Sequence, residues 1–278
     1  MNKGAVHFSL GLWFLSLTSC VPVDQIPQSQ LPPGATGSAP TASSYPDVDA
    51  GGQSITTLHF TVKGYSDNEI RPISVSAESL YDKIGNDTGL YSTLASGNYT
   101  LVVYHDKNEF IQKTKLPEGT RAVAAGQTIY VYPGSDLDPA LAHQLVHVIF
   151  NNFLATQATN YKWLIEGIAM YEELSRMQET DKTAFLGSAG TQLRSNKMSF
   201  SQMTFFIPPP EERRRTEVWY QQVQSVVAFM LQGGMSLNFG NMMNSLHSGA
   251  DMDHALNDAY GSRFRSMAEL ETAWRNTV

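Results

Sequence analysis

The chain has 278 residues, a formal net charge of −7 at pH 7 and a single cysteine, Cys20. A nucleic-acid partner needs a basic face, so this charge balance argues against one. The lone cysteine excludes disulfides, a thiolate zinc site and a cysteine nucleophile from the domain that follows it. About 220 residues remain for that domain, which suffices for one hydrophobic core or two small subdomains flanking a cleft.

The first segment, residues 1–20, resembles a bacterial lipoprotein signal peptide. Lys3 supplies a positive start, residues 6–17 form an apolar run too short to span a bilayer, and the following Leu-Thr-Ser-Cys resembles a lipobox ending at Cys20. Val21 follows the cysteine, where an Asp would indicate inner-membrane retention. We therefore expect a lipid-anchored protein of the bacterial cell envelope, at the outer membrane, that contacts the membrane through its N-terminal lipid only.

The second segment, residues 21–54, has the composition of a disordered tether. It contains six prolines, many Ser, Thr, Gln and Gly residues, no Lys or Arg, and Tyr45 as its single aromatic residue. Such a stretch cannot bury enough apolar surface to offset the entropy of ordering the chain. The sequence therefore predicts a folded domain over residues 55–278.

The folded part opens with the alternation of apolar and polar residues that indicates half-buried strands. Asp106–Glu109 has the polar composition of a helix start, and Pro133-Gly134 is a turn signal. The predicted order is strand, helix, strand and then two further strand-like segments: Leu58–Val62, Ile73–Ile84, Tyr99–Tyr104, Arg121–Gly126 and Thr128–Tyr132.

Two helices follow the strands. Asp138 is predicted to cap the first, with Pro139 at the first helical position, where its missing N–H costs nothing. This helix runs to about Leu154. A turn over 157–161 leads into a second helix that continues to about Met177.

These two helices carry a candidate metal site. His143 and His147 are four residues apart and share one helical face, and Glu166 follows on the second helix. Two His and one carboxylate with an open fourth position form the ligand set of a hydrolytic zinc site. Such sites carry a Glu general base after the first His, but here that residue is Gln144, whose amide cannot accept a proton. The alternative for the histidine pair alone is two core or surface residues on an amphipathic helix.

The second helix contains Trp163-Leu164-x-Glu166-Gly167-x-Ala169-x-Tyr171. Together with the His pair, this block resembles the gluzincin zinc metallopeptidases, especially the peptidase MA-like group, over roughly residues 56–278. The resemblance implies an α+β, zincin-like fold with a small mixed sheet, the motif helices and a helical C-terminal half. It also implies Zn²⁺ on His143, His147 and Glu166, with a peptide or protein in the cleft. The family's C-terminal helices are matched by Tyr220-x-x-x-x-Ser225 and by Trp274.

The family resemblance suggests further roles. The segment Thr128–Tyr132, with the strand before it, corresponds to a substrate-side edge strand that pairs with an extended peptide, unless it is an ordinary internal strand. Tyr220 is by position the candidate donor to the oxyanion, and its alternative is an amphipathic core Tyr. His247 and His254 are weaker candidates, because polar turn residues beside them indicate surface placement.

The chain also departs from the family around the third ligand. Met170 stands four residues after Glu166, where some gluzincins have a carboxylate that supports a ligand His. Helical spacing places Glu173 on the Glu166 face, so Glu173 is a better candidate than its neighbour Glu172 to orient a ligand imidazole. The alternative for both glutamates, which we favour, is a solvated helix end.

The C-terminal half begins with a mixed, Pro-rich stretch, residues 186–216, that we expect to be a mobile flap or an exposed loop. Its basic run Arg213–Arg215 is flanked by glutamates, so it is either a self-neutralised surface loop or a recognition element for an anionic partner. A helix from Tyr220 to Leu231 stops at Gly233-Gly234. Two more helices are predicted, over Asp251–Tyr260 and after a capping box formed by Ser266 and Glu269.

These features lead to three functional expectations. The first is a zinc-bound pseudo-peptidase lipoprotein that acts as a peptide- or protein-binding or structural module, because Gln144 replaces the general base. The alternative is an active zinc-dependent endo- or aminopeptidase whose water is activated by the metal without the usual Glu, or by another carboxylate such as Glu173. In the third, the metal is also lost and only the fold remains.

Overall fold

The computed structural model describes residues 44–94, 98–205, 207–209 and 211–278. The predicted signal peptide, the predicted lipidation site Cys20 and most of the predicted tether lie outside these residues. The described strands are β1 Gln53–Thr56, β2 Phe60–Gly64, β3 Tyr99–Val103, β4 Ala122–Ala125 and β5 Thr128–Val131. The α-helices are α1 Asp67–Asp87, α2 Lys107–Thr114, α3 Leu137–Leu154, α4 Lys162–Arg176, α5 Glu179–Asn196, α6 Phe200–Phe205, α7 Arg213–Leu231, α8 Ser236–His247, α9 Met252–Tyr260 and α10 Met267–Arg275.

The strands form one mixed sheet with the order β1-β2-β3-β5-β4. The three central strands β2, β3 and β5 are parallel, and β1 and β4 pair antiparallel at the two edges. The helix α1 connects β2 to β3, as the predicted strand–helix–strand order requires. A sheet followed by a mostly helical half makes the protein α+β, which confirms the predicted fold class.

The strand β5 does not lie at an edge. Thr128 pairs with Thr100 on one side and with Ala125 on the other, so β3 and β4 use both of its hydrogen-bonding sides. The interpretation of Thr128–Tyr132 as a free edge is therefore wrong, and the internal-strand alternative is the one observed. On this side of the sheet the edge strand is β4.

The two faces of the sheet bury different partners. One face packs against α1 and α3 in the main core, and the other face forms a smaller cluster with α2 and Tyr45. Tyr45 is only 5% exposed, and its ring lies edge-on to Tyr130 with centroids 5.3 Å apart. The Tyr104 hydroxyl donates a hydrogen bond to the Pro46 carbonyl. Residues 44–54 thus pack on the domain that the sequence predicts to begin at residue 55, because Tyr45 supplies the apolar surface that the rest of the tether lacks.

The start of α3 differs from the prediction. Asp136 occupies the N-cap position, and the helix begins at Leu137. The carboxylate of Asp138 accepts hydrogen bonds from Ser76 (2.8 Å) and Arg176 (3.2 Å). Asp138 therefore links α3 to α1 and α4 instead of capping its own helix.

Residues 186–216 are mostly helical, so the prediction of a flap or exposed loop is wrong. The helices α5 and α6 occupy most of this stretch, and α7 already begins at Arg213. Gln222 of α7 holds the connection between α5 and α6, because its carboxamide accepts from the Met198 N–H at 2.8 Å and donates to the Met198 carbonyl at 3.0 Å. These bonds fix a segment whose composition alone indicates a loop.

The last helices are close to their predicted bounds, apart from α8, which the sequence reading missed. Ser266 accepts the Glu269 N–H at 3.3 Å, as the capping box predicts. Trp274 donates from Nε1 to the Ser225 hydroxyl at 3.1 Å, which ties α10 to α7. None of the described helices combines the length and the apolar character needed to cross a membrane.

The helix α4 lies between α3 and α7. At Gly167 the approach of α7 is so close that a Cβ atom would lie 2.6 Å from Val227 Cγ2 and 2.7 Å from the Val223 carbonyl oxygen. Only glycine permits this packing. The residue before it, Glu166, is thereby held in the interior, 3% exposed.

Candidate metal centre

Three side chains from two consecutive helices meet in the interior. His143 and His147 project from α3, and their Nε2 atoms lie 3.1 Å apart. Glu166 projects from α4 and places Oε2 at 3.8 Å from the first Nε2 and 3.7 Å from the second. The predicted ligands are thus brought together, because the four-residue spacing aligns the imidazoles and the α3–α4 hairpin delivers the carboxylate.

The geometry of these three atoms fits a bound metal ion. The point in the plane of these atoms that is equidistant from all three lies about 2.1 Å from each, which is in the range of common metal–ligand bonds. The side chains are buried, with exposed fractions of 2%, 5% and 3% for His143, His147 and Glu166. Two imidazoles and a carboxylate at this spacing could hold a metal ion.

Glu173 orients the first imidazole. Its Oε2 lies 2.8 Å from His143 Nδ1, and the carboxylate is 3% exposed. A proton on Nδ1 donated to this carboxylate leaves the lone pair of Nε2 facing His147 and Glu166, which is the tautomer that a metal ligand needs. Burial disfavours the charged ring, but the hydrogen bond and the charge of Glu173, with that of Glu166, outweigh it and raise the pKa of His143.

The environment of the second imidazole keeps it neutral. Burial, followed by the charge of His143, lowers the pKa of His147 well below its usual value. A neutral ring retains a lone pair for a metal.

Gln144 follows His143 in the sequence of α3 and is fully buried. Neither its Oε1 nor its Nε2 has a hydrogen-bond partner among the described residues. Each buried polar group without a hydrogen-bond partner lowers the stability of the folded protein by about 1–3 kcal/mol. A water or another polar ligand on a metal ion at this site would give the amide a partner. The unpartnered amide therefore agrees with the metal site that the two imidazoles and the carboxylate indicate.

The interpretation of Glu172 and Glu173 as a solvated helix end is wrong, since their exposed fractions are 0% and 3%. Glu172 Oε2 lies 3.2 Å from Lys83 Nζ, and Lys83 also binds Asp87. Burial raises the pKa of Glu172 to about 7 although Lys83 opposes this. The sequence reading missed this cluster, whose only signal was an acidic pair at the end of an apolar helix.

Met170 is buried at 2% exposure, in the position where a supporting carboxylate occurs in some gluzincins. Its neighbour one turn toward the C-terminus, Glu173, makes the contact with the ligand His instead.

The other candidates lie elsewhere in the helical half. Tyr220 is half-buried on α7, with its ring 5.0 Å from that of Trp219, and its role as oxyanion donor stays a prediction. His247 is exposed, stacks on Phe153 and contacts the carbonyl of that residue at 2.6 Å through Nδ1. His254 is exposed and pairs with Asp258 one turn further along α9.

No protein-family model matches this chain, and a comparison with curated proteins finds no similar sequence.

Proposed function

We propose that the protein is a gluzincin-like pseudo-peptidase that holds zinc on His143, His147 and Glu166. The observation that carries this proposal is the convergence of the two Nε2 atoms and Oε2 within 3.8 Å. The carboxamide of Gln144, next to His143 in sequence, is buried. Two nitrogens and one oxygen as the donor set suit zinc better than the harder cations, which prefer all-oxygen sites.

Gln144, at the position of the general base in the gluzincins, argues against efficient peptide hydrolysis. Zinc in such a site polarises a carbonyl group and lowers the pKa of a bound water. Gln144 can hold a water by hydrogen bonding, but its carboxamide takes up no proton at neutral pH. Loss of a general base typically slows hydrolysis by about 10²–10⁴-fold.

Neither of the two buried glutamates at the end of α4, Glu172 and Glu173, is placed to substitute for the missing base. The carboxylate of Glu173 binds Nδ1 of His143, whereas the metal-facing atom of that ring is Nε2. Glu173 therefore orients a ligand. Glu172 is engaged by Lys83 at 3.2 Å. This arrangement favours the pseudo-peptidase over the active peptidase that uses Glu173.

We further propose that the retained centre serves as a structural or peptide-binding module of the bacterial cell envelope, anchored through lipid on Cys20. The edge strand β4, Ala122–Ala125, offers backbone N–H and C=O groups with which an extended peptide can pair. Binding without turnover needs the fold and the metal but no general base.

The test combines metal analysis with peptide cleavage for the natural protein, Gln144→Glu and His147→Ala, all purified without chelator. We expect a single zinc ion per chain in the natural protein and in Gln144→Glu, and loss of zinc in His147→Ala. Cleavage of a mixed peptide library should be absent in the natural protein and gained in Gln144→Glu. Chelator-sensitive cleavage by the natural protein would establish the active peptidase instead. A natural protein that neither contains nor binds zinc would show that only the fold has been kept.

A further inference from the structure

A groove separates α5 from the beginning of α7, away from the metal centre. Its main part has a volume of about 890 Å³ and is lined along α5 by uncharged polar side chains and one glycine. These residues recur every four positions and so form one helical face about 13 Å long. The α5 wall consists of Gly187, Ser188, Thr191, Gln192, Ser195 and Asn196.

The opposite wall of the groove is basic. Arg213 and Arg214 line the main part, and a second cavity of about 370 Å³ continues from it past Asn196 and Arg214. This continuation adds Arg215 and Lys197. Three guanidinium groups and one ammonium group thus lie along one groove in a chain whose net charge is −7.

Neighbouring glutamates neutralise these arginines only in part. Arg215 pairs with Glu212 at 3.2 Å, and Arg214 interacts electrostatically with Glu217 without forming a close ion pair. Within the described residues, Arg213 forms no ion pair. The three arginines also begin α7, whose first turn contains no acidic residue. The amino end of a helix carries a partial positive charge. The arginine side chains at this end add to that charge, and together they attract an anion.

The one carboxylate in the groove wall, that of Glu217, is bound by neighbouring amides. Glu217 Oε1 accepts a hydrogen bond from Gln221 Nε2 at 3.2 Å, and Gln192 is a second donor to this carboxylate. Gln221 is 1% exposed and also donates to the Ser188 hydroxyl at 3.3 Å, while its Oε1 has no partner among the described residues. The buried Gln221 amide is thus hydrogen-bonded to a residue of each wall. The groove presents guanidinium, hydroxyl and amide groups as hydrogen-bond donors.

We propose that this groove binds an acidic polypeptide segment. Guanidinium groups match carboxylates in two parallel hydrogen bonds, and the polar face of α5 is long enough for about four extended residues. No aromatic ring lines either cavity in the described part of the chain, so the stacking platform typical of nucleobase recognition is missing. The groove shares no residue with the metal centre, and its test is independent of zinc.

The experiment measures the anisotropy of a fluorescent Glu/Asp-rich peptide titrated with the full chain at low and at physiological salt. We expect saturable binding that weakens as salt rises, and no binding of a Gln/Asn-rich peptide of equal length. The double variant Arg213→Ser/Arg214→Ser should bind more than about tenfold more weakly. Its matched control is Arg71→Ser/Arg265→Ser, which removes the same charge from two exposed arginines outside the groove and should bind like the natural protein.

Three results would overturn the proposal. The first is no saturable binding of the acidic peptide at low salt. The second is an equal loss of affinity in the groove variant and in the control, which would indicate a net-charge effect. The third is binding of inorganic polyphosphate without binding of the acidic peptide, which would assign the groove to another oxyanion. Circular dichroism and thermal melting of both double variants establish that each is folded, and Arg214→Gln gives a milder variant if the first does not fold.

Discussion

The contact between Glu173 and His143 leads to a quantitative prediction for metal affinity. Glu173→Gln keeps the volume of the side chain but removes the negative charge that lies 2.8 Å from Nδ1. Both residues are buried, at 3% and 2% exposure, so water does not screen the interaction. Loss of such a supporting contact typically lowers metal affinity by about 10–100-fold, or about 1.4–2.7 kcal/mol. A competition titration against a chromogenic zinc chelator measures this change.

The neighbouring residue supplies the control. Glu172 lies on the same helix and is equally buried, but its carboxylate binds Lys83 and not a ligand His. Glu172→Gln should therefore change the zinc affinity by less than about threefold. If Glu173→Gln bound zinc as tightly as the natural protein, Glu173 would not support a metal ligand. If both variants weakened binding equally, a general loosening of α4 would explain the effect, and the specific role of Glu173 would be refuted.

Three further predictions concern stability. Because burial raises the pKa of Glu172 to about 7, from 4.5, the folded protein holds a proton that the unfolded chain releases, and stability falls as pH rises between these values. The free energy of unfolding should fall by about 3 kcal/mol across this range, and the fall is complete above the higher pKa. Urea unfolding across pH should show no such fall in Glu172→Gln. Parallel pH profiles for this variant and the natural protein would contradict the prediction. Gly167→Ala forces a Cβ to 2.6 Å from Val227 and should cost about 1–3 kcal/mol, whereas Gly190→Ala, with nothing within 4 Å, should not destabilise. Tyr45→Ala should cost about 3 kcal/mol in the same assay, and an unchanged midpoint would show that this residue belongs to the tether.

The arrangement of the candidate metal ligands was predictable from the sequence because its geometry is local. Helical periodicity alone aligns His143 with His147 and places Glu173 on the face of Glu166. The burial of Glu172 was not predictable in this way. It depends on Lys83 of α1, which is distant in sequence and reaches α4 only after the sheet and the helices have packed.

The failed predictions have similar causes. The strand β5 satisfies the pattern of an edge strand and of an internal strand equally well, and only its pairing with β4 decides between them. The prolines near residue 209 led to a loop prediction over residues 186–216, although they follow α6 and precede α7. Most side chains of α5 are exposed, so its sequence lacks the apolar stripe that marks a helix.

In the proposed pseudo-peptidase, metal ligands without a general base have a thermodynamic explanation. A metal that binds the folded chain and not the unfolded one adds its binding free energy to folding, and here it would join α3 to α4 at the centre of the helical half. Loss of any ligand removes that contribution and leaves the other buried polar groups without a partner. Replacement of the base by Gln144 changes neither the ligand set nor the volume of the side chain. It also removes a negative charge from an interior that already holds Glu166 and Glu173. Under the proposed function, the ligands would therefore be necessary for the stability of the fold, and a general base would not.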